Sequence, residues 1–155
     1  MKLPLTKSEF TTFLNEPRIA HLATSSRNGR ARVSPVWYVF EDGEFYLTTR
    51  LGRLKGRHIQ SNPFVALSIA TDERPYRAVC AFGKATILRK NRDEWLKRIS
   101  FRYGKQEGRR WLANAIKEPD RVALVLKPER IMTWHYGHGD HSRQEKGESM
   151  ATPAR

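Results

Sequence analysis

Thr48-Thr49-Arg50-Leu51-Gly52-Arg53-Leu54-Lys55-Gly56-Arg57 joins an aromatic-rich strand, residues 45–49, to a segment of helical character, residues 53–61. Two hydroxyls close the strand, two glycines allow close backbone approach, and four cations fall between positions 50 and 57. A helix N-terminus adds N–H groups without intrahelical partners and the positive end of the helix dipole. These are the parts of a phosphate site. With the helix opening near Arg53, Lys55 and Arg57 point in different directions, so only some of the cations can share one phosphate. Thr48 and Thr49 alternate across the strand, so one faces the site and the other faces the core or solvent.

Upstream, Thr6-Lys7-Ser8-Glu9 reads as a capping box opening a helix over residues 6–15, which Pro17 ends. A strand over residues 19–25, a turn at Arg27-Asn28-Gly29 and a return strand over residues 30–40 follow. Glu41-Asp42-Gly43-Glu44 turns the chain into the strand at residues 45–49, so the three strands read as a meander. Downstream, Asn62-Pro63 stops the helix and a strand occupies residues 64–71. A long strand, residues 76–88, carries Gly83 as a bulge or bend. Residues 91–116 are helical and divided into two helices by Gly104 and Gly108. Two further strands, residues 122–127 and 131–136, flank Pro128-Glu129-Arg130. Residues 139–155 are polar and aperiodic and read as a disordered tail after a folded unit of residues 1–138.

The expected fold is mainly β with peripheral helices, an antiparallel barrel of six to seven strands. The chain has 155 residues, of which 39% are hydrophobic, enough for one core. Its net charge of +13, from 29 basic and 16 acidic residues, implies an anionic partner: nucleic acid, a membrane surface or a phosphorylated small molecule. No apolar run is long enough to span a bilayer, and the N-terminus lacks the apolar stretch of a signal peptide. The lone Cys80 excludes an internal disulfide framework and points to a reducing cytoplasm; in an apolar strand it reads as a buried, inert thiol. His21 reads as a partly buried structural histidine. His135, His138 and His141 lack the carboxylate or cysteine frame of a metal site. No paired carboxylates, nucleophile elbow or dinucleotide fingerprint is present.

Four segments together resemble the pyridoxamine 5'-phosphate oxidase-like flavin-binding split-barrel family, nearest its small subgroup using FMN or the deazaflavin F420. Ile19-Ala20-His21-Leu22-Ala23-Thr24, Asn28-Gly29 and Arg32-Val33-Ser34-Pro35-Val36-Trp37-Tyr38 resemble its first hairpin. Tyr46-Leu47-Thr48-Thr49 with Arg53-x-Lys55-x-Arg57-His58-Ile59-x-x-Asn62-Pro63 resemble its phosphate segment. Residues 65–69 with Gly83-Lys84-Ala85 resemble its central strands, and Arg121-Val122, Pro128-Glu129-Arg130 and Trp134-x-Tyr136-Gly137 its closing hairpin. The resemblance implies a split barrel and a homodimer with two cofactor sites in the interface. It implies that Thr48, Thr49, Arg53 and Lys55 hold the cofactor phosphate, that Arg32, Val33, Ser34, Pro35, Val36 and Trp37 line or tune the ring system, and that Trp134 reaches in from the partner. The segment with which pyridoxamine phosphate oxidases proper bind the vitamin's phosphate has no counterpart after Gly137, so that substrate is not implied.

The first functional reading is therefore an oxidoreductase using FMN, or alternatively F420, on a small-molecule redox substrate. A cofactor that carries the chemistry needs no acid–base constellation from the protein. The second is a non-enzymatic cofactor carrier on the same scaffold. The third, ranked last, is a nucleic-acid-binding barrel that would use the charge and the interleaved aromatics Trp37, Tyr38 and Phe45.

Overall fold

A computed structural model describes residues 2–136. The expected tail at 139–155 lies outside the described residues, as do His138 and His141. The elements are β1 (Lys2–Leu3), α1 (Lys7–Asn15), β2 (Ala20–Ser25), β3 (Ala31–Val36), β4 (Val39–Glu41), β5 (Glu44–Arg50), α2 (Leu54–Ser61), β6 (Phe64–Ala70), β7 (Arg77–Leu88), α3 (Arg92–Phe101), α4 (Lys105–Ala115) and β8 (Arg121–Tyr136). The capping box is present: the Glu9 N–H donates to Thr6 Oγ1 at 3.3 Å, and the Thr6 N–H to Glu9 Oε2 at 2.8 Å. No helix among the described residues is long and apolar enough to cross a membrane.

All strands belong to one antiparallel sheet in the order β3-β2-β6-β7-β8-β5-β4, with β1 added on β8. Its two ends, β3 and β4, are consecutive in the chain but not bonded to each other, which leaves a split barrel. Alternation fills the barrel: Leu22, Leu47, Leu67, Ile69, Val79, Leu124 and Leu126 are buried along the strands. Helix α2 packs on β2 and β5, and α3 on β5 and β8.

Three expectations are corrected. The return strand at 30–40 is not one strand, and the first three strands are not a meander. The chain leaves the sheet at Trp37-Tyr38, so that β3 pairs with β2 while β4 pairs with β5 at the opposite end. The break is held from outside: the Tyr38 N–H donates to the Tyr103 hydroxyl at 3.1 Å, and the buried Tyr38 hydroxyl donates to Leu14 O at 3.1 Å. Burial pushes the Tyr38 phenol up to about 12. The expected closing hairpin is likewise a single strand, β8. Gly83 pairs with Pro128 and Phe82 with Arg130, leaving Glu129 as an extra residue on β8. This bulge absorbs the proline's missing donor without ending the strand. A Cβ on Gly83 would lie 2.2 Å from Lys127 O, so only glycine fits there.

Candidate cofactor-binding site

The segment Thr48–Arg57 folds as its composition dictates. Strand β5 ends at Arg50, Arg53 sits in extended conformation as the N-cap, and α2 runs from Leu54. The Arg53 side chain makes no capping bond, so the first N–H groups of α2 are offered outward. A Cβ on Gly56 would meet Arg50 O at 2.2 Å; its absence lets the first turn of α2 lie against the strand end. The turn after α4 completes the junction. Asp120 accepts from Arg50 Nε at 2.9 Å and from the Gly52 N–H at 3.1 Å, and the Leu51 N–H donates to Asp120 O at 2.9 Å.

Two adjoining cavities open beside this junction. One, of about 310 Å³, is walled by Ile19, Pro35, Val36, Trp37 and Trp111. The other, of about 450 Å³, is lined by Arg32, Ser34, Thr49, Arg50, Arg53 and Leu54, with Glu118 as its one carboxylate. Thr48, Lys55 and Arg121 line both, making one cleft with an aromatic compartment and a cationic one. The aromatic wall is rigid. Trp37 stacks on Tyr103 with centroids 4.9 Å apart and planes at 8°, and lies 5.7 Å from Trp111, over which Arg121 sits at 5.2 Å. Among the described residues β3 pairs only with β2, so its outer edge has backbone donors and acceptors without a strand partner there, beside the cleft.

The cations divide into two groups. Arg50 and Arg121 are neutralised within the chain: Arg50 pairs with Asp120 and with Glu118 at 3.3 Å, and Arg121 Nε donates to Glu118 at 2.7 Å. Arg32, Arg53 and Lys55 have no ion pair among the described residues. Burial, with repulsion from Arg121, holds the Lys55 ammonium below its usual range. A half-buried cation without a counter-ion, beside two more, fits a bound anion such as a phosphoryl group.

The hydrogen bond from Arg50 holds the Asp120 carboxyl below its ordinary range, with the Gly52 N–H assisting. A depressed folded-state value stabilises the fold above the unfolded value of about 3.8, and that stability is lost as pH falls through the folded value. Urea midpoints of wild type and Asp120→Asn are therefore expected to differ most above that pH and to converge below it. A constant gap at all pH values would show that the carboxylate charge is not what the junction uses.

Of the residues named from sequence, Arg32, Ser34, Pro35, Val36, Trp37, Thr48, Thr49, Arg53 and Lys55 are brought to the cleft. Thr49 points inward and is buried, while Thr48 faces the cleft with its hydroxyl donating to Val122 O at 3.0 Å. Val33 is not brought there: it is 61% exposed on the opposite face of the sheet, across from Ala23. Trp134 lies far along β8 from Arg121 and lines neither compartment of its own chain. Arg57 is exposed and turned away. His21 is exposed rather than partly buried, and Cys80 is half-buried on the outer face, its thiol 3.6 Å from Ser68 Oγ. Sequence reasoning missed Trp111, Arg121, Glu118 and Asp120. Trp111 fits the apolar stripe of a helix, and nothing local marks it as a wall for β3.

The model of the pyridoxamine 5'-phosphate oxidase family matches residues 6–135. The chain belongs to this family. Among solved structures of the pyridoxamine 5'-phosphate oxidase-like fold, it is similar to the conserved hypothetical protein Rv2991 of Mycobacterium tuberculosis, with 23% identity over 97% of this chain and 93% of that one, at a TM-score of 0.69. It is also similar to an F420 reductase, with 24% identity over 77% and 93% of the two chains and a TM-score of 0.62. The heme storage protein HutZ of Vibrio cholerae superposes with a TM-score of 0.68, 19% identity, and coverage of 84% and 96%. At these identities the likeness is one of fold. No curated protein matches the sequence.

Proposed function

We propose that this protein is an oxidoreductase that binds FMN, or alternatively the deazaflavin F420, in the two-part cleft and works as a homodimer on a small-molecule redox substrate. The observation that carries the reading is the joining of the aromatic compartment to a cationic one across Thr48, Lys55 and Arg121. That is the shape and polarity of a planar ring with a phosphoryl end. Lys55, Arg53, Arg32 and the N–H groups opening α2 hold the phosphoryl group. Trp37, Trp111, Pro35 and Val36 exclude water from the ring, and the free edge of β3 at Ser34–Val36 offers backbone groups to its polar rim. The bound cofactor supplies hydride or electron transfer. Relatives of this fold whose names specify F420 reduction or heme storage support a cofactor-binding scaffold.

The homodimer is supported by the outer face of the sheet. Val33, Phe64, Phe82 and Met132 lie on that one face with 61%, 54%, 38% and 37% of their surface exposed. Monomers rarely leave so many large apolar groups together in water. Trp134 shares this face, two residues beyond Met132, where a partner's cleft would meet it.

The test is an absorbance and fluorescence titration of purified protein with FMN and with F420, paired with light scattering for mass. Saturable binding of one cofactor by a dimer is expected, followed by turnover of its reduced form with electron acceptors. Binding without turnover would leave the carrier reading, and no binding of either cofactor would end both.

A further inference from the structure

The cationic compartment contains an anion of its own. Arg50 and Arg121 are direct cross-strand partners on β5 and β8, and like charges so placed repel. Glu118 bridges them: its Oε1 lies 3.3 Å from Arg50 Nη1, and its Oε2 accepts from Arg121 Nε at 2.7 Å. Of the residues lining the two compartments, Glu118 is the one carboxylate, and 28% of its side chain is exposed. We propose that Glu118 stands in for the phosphoryl group between these arginines, withholds Arg121 from the ligand and so limits how tightly the corner holds its cofactor. The proposal rests on the phosphate reading above and adds what sets affinity and release at that site.

The backbone of Glu118 is anchored. Its N–H donates to Ala115 O at 3.2 Å, the Arg121 N–H donates to Glu118 O at 3.1 Å, and Asp120, between them, is tied to Arg50 and Gly52. Only side-chain rotation can take the carboxylate away from the compartment. Arg121 is placed to serve a ligand: it lines both compartments, lies 5.2 Å from the Trp111 ring and repels Lys55, the half-buried cation assigned to the phosphoryl group. Arg50 is not released by the loss of Glu118, because Asp120 holds its Nε at 2.9 Å. Glu118 therefore controls one cation. An anion entering beside Lys55 is attracted by Arg32, Arg53 and Lys55 and repelled by Glu118, while the charge of Arg121 stays cancelled.

The test is Glu118→Gln, which keeps the size of the side chain and an acceptor for Arg121 while removing the charge. Wild type and variant are titrated with inorganic phosphate and with whichever of FMN and F420 wild type binds, and release of that cofactor is followed by stopped flow. The variant is expected to bind both ligands about tenfold more tightly, mainly through slower release, and to gain more in Tm from added phosphate. Added to the Arg53→Ala/Lys55→Ala double variant, Glu118→Gln is expected to restore about a factor of ten in affinity, because Arg121 becomes available. Glu118→Ala, which leaves no acceptor, is the second variant and must shift affinity in the same direction. Unchanged or weaker binding by either folded variant overturns the proposal: Glu118 then only braces the two arginines, and the corner site stands without it. Binding of neither phosphate nor FMN nor F420 by wild type overturns the cofactor reading itself, and this proposal with it.

Discussion

Replacing Arg53 and Lys55 together by alanine is expected to weaken FMN binding by roughly 2–4 kcal/mol, about 30- to 700-fold in Kd. The size follows from two charge-assisted bonds to one phosphoryl group, reduced because neighbouring cations do not act additively. It follows also from where the cations sit. Lys55 is held below its ordinary range by burial and by Arg121, so its charge is at a disadvantage until an anion arrives. Arg50 and Arg121 cannot substitute, since Glu118 and Asp120 already engage them. Arg57→Ala serves as the control: it removes the same charge from the same helix but not from the cleft, and should change affinity by less than about twofold. If the double variant binds as tightly as wild type, or Arg57→Ala weakens binding equally, the corner is not a phosphate site and only diffuse charge is at work.

Gly56→Ala is expected to lower stability by roughly 1–3 kcal/mol, a fall in Tm of about 2–12 °C for a domain of this size. On an unobstructed helix the same change would stabilise by roughly 1 kcal/mol, so the sign is the test. The added Cβ would lie 2.2 Å from Arg50 O, 2.7 Å from Leu51 Cα and 2.9 Å from Arg50 C. All three are backbone atoms, and they belong to the junction that Asp120 ties down at Arg50, Leu51 and Gly52. The helix must therefore move, and with it the N–H groups and Lys55 that open it. Thermal melting followed by circular dichroism measures the first effect and phosphate titration the second. A rise in Tm would mean that α2 is not seated against the strand end.

Much of the fold was legible because it is local. The capping box at Thr6 and Glu9, the Asn28-Gly29 turn and the halt at Pro63 each follow from residues close together in the chain. The cationic corner was legible for the same reason: Thr48 to Lys55 is a single strand–loop–helix passage, whose hydroxyls, glycine and cations are positioned by the geometry of that passage. The errors arose where local signals are silent. Alternation over residues 30–40 looks the same whether the strand is continuous or passes from one end of the sheet to the other. Pro128 reads as a strand break unless the partner strand offers Gly83 across from it.

By itself the sequence determined most of the elements, their apolar faces and the clustering of cations from Arg50 to Arg57, since these depend on residues close together in the chain. The tertiary structure alone decided that β3 and β4 lie at opposite ends of one sheet, that Trp111 stands over the break at Trp37, and that Glu118 and Asp120 pair with Arg50 while Arg53 and Lys55 have no ion pair among the described residues. The Trp37–Trp111, Arg50–Glu118 and Arg50–Asp120 pairings join residues about 70 positions apart. Their selection depends on how the whole barrel closes around its core, which no short window of sequence contains.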